Sequence, residues 1–124
     1  EPDDAATLAF YRALLAEVGH PVFHEGTWRL REATPAWDLN ATHRNLIAFT
    51  WQAGEERRLV VVNYSAASAQ GRVRLPNFGL EGRTWALRDA LDGADYQRSG
   101  DEMAYDGLYV DLRPWAAHVL SFRA

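Results

Sequence analysis

A chain of 124 residues, 48% hydrophobic and 24% charged, can bury one self-sufficient core and is not composed like a disordered polymer. Its formal net charge is −4 and its 13 basic residues, all arginine, are scattered, which argues against nucleic acid or an anionic membrane as a partner. With no cysteine, a disulfide framework, a thiolate nucleophile and a Cys-ligated zinc site are excluded.

The chain opens on Glu1-Pro2-Asp3-Asp4, which is acidic and unlike a signal peptide, and its lack of an initiator methionine suggests an excised segment. No apolar run approaches the ~20 residues that span a bilayer. The first predicted element is a helix over Asp4 to Val18. Leu8, Tyr11, Leu15 and Val18 form one stripe, widened by Phe10 and Leu14, and Gly19 and Pro21 end it.

Beyond Gly19 the pattern becomes short β-rich runs separated by turn residues. Thr27 to Ala33 alternates, with Trp28 and Leu30 expected inward and Arg29 and Arg31 outward. Arg44 to Trp51 and Arg57 to Tyr64 read as a hairpin across Ala53-Gly54-Glu55-Glu56. Val73 and Leu75 are expected inward on the next strand, and Trp85 and Leu87 on the one after. Tyr96 to Arg98 and Glu102 to Tyr105 read as a weak strand pair around Ser99-Gly100-Asp101. Leu108 to Leu112 and His118 to Phe122 close the chain. One helix followed by about eight strands, without βα alternation, predicts an all-β antiparallel sandwich.

Leu46-Ile47-Ala48-Phe49 and Leu59-Val60-Val61-Val62 are continuous apolar runs, so both faces of these strands call for cover. A sandwich normally buries one face of each sheet. The second face then needs the N-terminal helix or a neighbouring domain as a lid.

The search for chemistry returns no catalytic candidate. His20 and His24 have the i, i+4 spacing of a zinc pair, but Pro21 breaks the helix between them and no third ligand follows. Asp89, Asp92 and Asp95 surround Gly93 and read as turn chemistry. His43 is isolated, and His118 reads as a packed or edge residue of its strand. The sequons Asn40-Ala41-Thr42 and Asn63-Tyr64-Ser65 read as turn or strand-end residues. No phosphate loop, dinucleotide fingerprint or nucleophile elbow is present, and no cofactor is expected. Of the five tryptophans, periodicity assigns Trp28, Trp51 and Trp85 to buried positions. Trp37 and Trp115 fall in loops, where they could stack on a sugar ring, plug the core edge or sit in an interface.

Taken in order, the segments resemble one family. Leu8-Ala9-Phe10-Tyr11-Arg12-Ala13-Leu14-Leu15 is similar to the last helix of an α-amylase-type (β/α)8 barrel. Gly26-Thr27-Trp28-Arg29-Leu30, Asn45 to Trp51, Arg58 to Ser65, Trp85 to Asp89, Gly107 to Leu112 and Pro114-Trp115 are similar to the C-terminal β-domain that follows it. The resemblance implies residues 1–19 as that helix and 20–124 as a Greek-key β-sandwich. It further implies a parent glycoside hydrolase or transglycosidase acting on α-glucosidic bonds. The barrel motifs that carry the catalytic acids have no counterpart here, so no catalytic residue transfers. The implied partner is the catalytic barrel of the same parent chain. A glucan-binding module using Trp37 and Trp115 is the first alternative, and a stand-alone protein-interaction domain the second.

Overall fold

The structure, a computed structural model, describes residues 26–124. The helix expected over 4–18, the pair His20 and His24, and the proposed unit 1–19 lie outside the described residues. Among the described residues nine strands follow one another: β1 Thr27–Arg31, β2 Ala33–Thr34, β3 Leu46–Ala53, β4 Glu56–Asn63, β5 Ala69–Val73, β6 Thr84–Asp89, β7 Asp95–Ser99, β8 Leu108–Leu112 and β9 Ala117–Arg123. A 3-10 turn, Thr42–Asn45, precedes β3, and a short helix, α1 Gly100–Tyr105, precedes β8. The fold is an all-β sandwich of antiparallel strands. One sheet has the order β1-β3-β4-β9-β6-β7 and the other β2-β5-β8. The last strand returns between β4 and β6, a Greek-key type of return.

The core lies between the sheets. Leu59 and Val61 of β4, Leu87 of β6 and Leu120 of β9 face Val73 of β5 and Val110 of β8, all nearly or fully buried. Three strands cannot cover six, and the remainder is filled by the 74–83 loop and α1. Leu75, Phe78, Leu80, Met103 and Ala104 are at most 2% exposed. Asn63, fully buried, clips the sheets together by donating to the carbonyls of Ala67, Leu112 and Arg113 at 2.8–3.0 Å. The sequon reading of Asn63 as a strand-end residue therefore holds. Asn40 likewise forms a turn, accepting from the Thr42 amide at 2.9 Å.

Three expectations change. The run Thr27 to Ala33 is two strands, with β1 in the large sheet and β2 in the small one, so the chain switches sheets at Glu32. Glu102 to Tyr105 is helical because Ser99 caps it, its hydroxyl accepting from the Glu102 amide at 3.2 Å. The alternation of β1 is inverted. Arg29 and Arg31 share a face with the buried Ala48 and Thr50, whereas Trp28 and Leu30 are 52% and 66% exposed. The inward cation is tolerated because it is satisfied. Arg31 donates to Thr50 Oγ1 at 2.9 Å and to the Pro76 carbonyl at 2.6 Å, and lies 5.0 Å from the Phe78 ring centroid.

Candidate functional site

Directly opposed strand residues share a face, so the register sorts the outer side of the large sheet into two halves. On β1, β3 and β4 it carries Trp28, Leu30, Ile47, Phe49, Trp51 and Val62. Phe49 bridges the two tryptophans, at 6.3 Å from Trp28 and edge-on to Trp51 at 5.1 Å. Glu56 and Arg58, at the hairpin end, pair with each other at 3.1 Å. On β6 and β7 the same side is polar, with Arg88 bridging Asp95 at 3.3 Å beside Thr84 and Gln97. Val60 and Val119, between the halves, are buried at 9% and 1% exposure. Exposed apolar surface is thus concentrated toward the β1 edge, and it includes the strands whose two apolar faces stood out in the sequence.

Trp37 and Trp115 are both exposed, at 54% and 58%. Their loops follow β2 and β8 and leave the small sheet at the end where β5 begins. Among the described residues no ring contact joins them. Trp115 instead stands edge-on to the exposed Tyr64 at 5.4 Å, with its backbone at φ 61° and its amide donating to the Ser65 carbonyl at 3.2 Å. Trp51 is half-buried on the outer face and Trp85 is buried in the core, where its indole donates to the Leu80 carbonyl at 2.8 Å.

A second site lies where both sheets have a free edge, between β7 and β8. A groove of about 240 Å³ opens there, with Leu87, Leu108, Val110 and Leu120 among its lining and Tyr96, Arg98, Tyr109, Asp111 and His118 around them. His118 Nδ1 meets Asp89 Oδ2 at 2.7 Å. The other Asp89 oxygen accepts from the amides of Leu91 and Val119 at 3.1 and 3.2 Å. Burial alone would raise the Asp89 carboxyl, but the His118 and backbone hydrogen bonds outweigh it and hold the group below its ordinary value. It is therefore a carboxylate at neutral pH, and the His118 nitrogen that faces it, Nδ1, carries a proton. The Tyr96 ring stands edge-on to His118 at 6.3 Å. Burial, with Asp92 and Asp89 nearby, pushes its phenol above the ordinary value, so it stays protonated at neutral pH. Asp111 accepts from the Gln70 amide at 3.0 Å, and the Arg98 guanidinium lies 5.4 Å from the Tyr96 centroid.

Sequence reasoning assigned Asp89 to a turn and His118 to packing, and missed that they meet. A signal was available. Asp89 shares parity with the inward Trp85 and Leu87, and a carboxylate driven inward must find donors. Asp92 and Asp95 do serve the turn, Asp92 accepting from the Ala94 amide at 2.8 Å. Asp89 and His118 form an orienting pair of the kind that supports a nucleophile, yet no described hydroxyl is hydrogen-bonded to Nε2. Among the described residues no group of three His, Asp or Glu side chains is arranged to hold a metal ion.

No family model and no curated protein matches the chain by sequence. Solved structures do match it in shape. A noncanonic maltogenic α-amylase from Thermotoga neapolitana superposes with a TM-score of 0.71 at 13% identity, over 100% of this chain and 27% of that one. The fold is shared with part of the α-amylases. An Anoxybacillus α-amylase matches with a TM-score of 0.60 at 17% identity, over 96% of this chain and 23% of its own. The trehalulose synthase from Pseudomonas mesoacidophila MX-45 matches with a TM-score of 0.55 at 20% identity, over 93% and 17% respectively. This chain thus corresponds to about a quarter or less of each of these α-amylase-family enzymes.

Proposed function

We propose that this chain is the non-catalytic C-terminal domain of an α-amylase-family enzyme acting on α-glucosidic bonds, and that it packs against and stabilises the catalytic barrel of the same parent chain. In this reading residues 1–19 are the last barrel helix and 20–124 the domain. The observation that carries it is the divided outer face. Trp28, Leu30 and Ile47 are 52%, 66% and 43% exposed beside a polar half that needs no cover. Large rings clustered on one side of a sheet are what an inter-domain interface uses, and an open patch of this kind is a liability when left in water. The partial matches to α-amylases supply the kind of neighbour.

The test compares this chain alone with the same chain joined to its native upstream coding sequence. Leu30→Glu with Ile47→Glu should leave the melting temperature of the chain alone unchanged and lower that of the joined protein by several degrees. Equal melting of the two joined proteins would count against this docking face. The chain alone should not hydrolyse maltooligosaccharides, and turnover abolished by a single carboxylate substitution would overturn the non-catalytic reading.

The exposure of Trp37 and Trp115 favours a second reading, an auxiliary glucan-binding module. Retardation in an amylose-containing native gel, lost on Trp37→Ala or Trp115→Ala, would support it. Unchanged mobility would remove it.

A further inference from the structure

We infer that the groove beside β1, on the inward side of the large sheet, is a binding site for a phosphate group, taken as the free ion or as a small monoester. It lies on the opposite side of the sheet from the apolar patch, so the inference goes beyond the docking role and does not depend on it. The register builds the groove. Thr27, Arg29 and Arg31 of β1 stand against Gln52, Thr50 and Ala48 of β3. The 74–83 loop adds Asn77 and Phe78 to the lining, and no residue of the small sheet covers it.

Three observations support the assignment. The first is uncompensated charge. Arg29 and Arg31 are the ionic groups of the lining and sit two apart on one strand face, where like charges repel. The chain as a whole carries −4, yet the carboxylates nearest in sequence are turned to other arginines. Glu32 meets Arg74 at 3.9 Å, Glu55 meets Arg57 at 3.8 Å and Glu56 meets Arg58 at 3.1 Å. Among the described residues neither Arg29 nor Arg31 has a carboxylate partner. Burial, and then the neighbouring Arg29 charge, lowers the Arg31 guanidinium from its ordinary value, as follows when a cation is held against a cation. The second is the kind of donor. The neutral polar side chains are the hydroxyls of Thr27 and Thr50 and the amides of Gln52 and Asn77. Thr50 Oγ1 already accepts from Arg31 Nε at 2.9 Å, which leaves its own proton to donate. Donors from two strands and a loop suit a tetrahedral anion with oxygens on every side. A planar carboxylate or a halide would leave several of them unmet. The third is preorganisation. The Pro76 carbonyl accepts from Arg31 at 2.6 Å, and the guanidinium lies 5.0 Å from the Phe78 ring centroid. Arg57, donating to the Phe78 carbonyl at 2.8 Å, adds a further guanidinium 5.8 Å from the same ring. Groups already held lose less freedom on binding. At about 330 Å³ the space falls at the low end of the ~300–1,000 Å³ of small-ligand sites, enough for a phosphate and a short ester group.

The experiment is an amide NMR titration of the whole chain at constant ionic strength with inorganic phosphate and with methyl phosphate, run beside acetate and chloride. Saturable shifts at Arg29, Arg31, Thr50, Gln52 and Asn77 are expected with both phosphates, and no saturation with the other two. Whichever phosphate binds more tightly separates the free ion from the monoester as the ligand. Arg29→Gln should weaken the affinity by about tenfold or more, the loss of one charge-assisted contact. Arg29 is exposed, and retained amide dispersion would show that the variant is folded. Arg31→Lys, which keeps the charge but loses the planar fork, should weaken it as well. Arg113→Gln, the same change of charge at an exposed position elsewhere, should leave the affinity unchanged. The inference is overturned if neither phosphate causes a saturable shift or if the shifts centre outside the groove. It is equally overturned if acetate or chloride saturates the groove as tightly as phosphate, or if Arg113→Gln costs as much affinity as Arg29→Gln.

Discussion

Asp89 is 1% exposed and accepts from two backbone amides and one imidazole, tying the end of β6 to β9. Its carboxyl titrates below the ordinary value when folded, so the stabilisation it contributes is complete above the unfolded value of about 3.9 and disappears as pH falls through the lower folded value. Asp89→Asn should therefore cost about 1.5–3 kcal/mol at neutral pH, and the gap to the parent protein should narrow below about pH 4. Urea melts at neutral pH and at about pH 2.5 would show it, and a gap that widened in acid would contradict the assignment. Gly100 is constrained in another way. A Cβ there would sit 1.7 Å from the Leu80 carbonyl oxygen, which is backbone and cannot turn aside. Gly100→Ala should cost about 3 kcal/mol or more, the upper end of overpacking, measured by the same melts. Asp89's inward position could be read from strand parity, whereas the approach of Leu80 to Gly100 could not, because contacts between segments leave no periodic trace.

Among the elements, the β3–β4 hairpin and the inward parity of β5 and β6 follow from alternation and turn residues, and the structure agrees. The short helix α1 does not follow, because six residues are too few to show a helical period. Its one local signal is Ser99 three residues before Glu102, the start of a capping box that a strand reading passes over. Ser99→Ala should destabilise the protein by about 1 kcal/mol, with the loss of exchange protection focused on Met103 to Gly107. Loss spread evenly over both sheets would argue against a capping role. Strand β1 fails differently. Alternation shows that it has two faces without showing which one is the core. Its edge position, its aromatic neighbours on β3 and the partners available to Arg31 decide that.

At the scale of the whole molecule the large sheet presents an apolar half and a polar half on one side. Leu30→Glu with Ile47→Glu on the chain alone removes apolar surface from water without opening the core, so stability should change by no more than about 0.5 kcal/mol. Self-association at high concentration should fall, as sedimentation velocity would measure. Association unchanged by these charges would mean that the patch does not drive contact between copies. The edge groove also belongs to this scale, since β6, β7, β8 and β9 all contribute to it.

By itself the sequence determined the all-β class, the order of most strands and the surplus of apolar surface on β3 and β4. These depend on local periodicity and composition, which a linear reading preserves. Only the tertiary structure decided how the strands divide between two sheets, which way β1 faces, and that Asp89, Tyr96 and His118 meet at one edge. Those outcomes depend on pairings between distant residues, chosen by the packing of the whole core rather than by any segment.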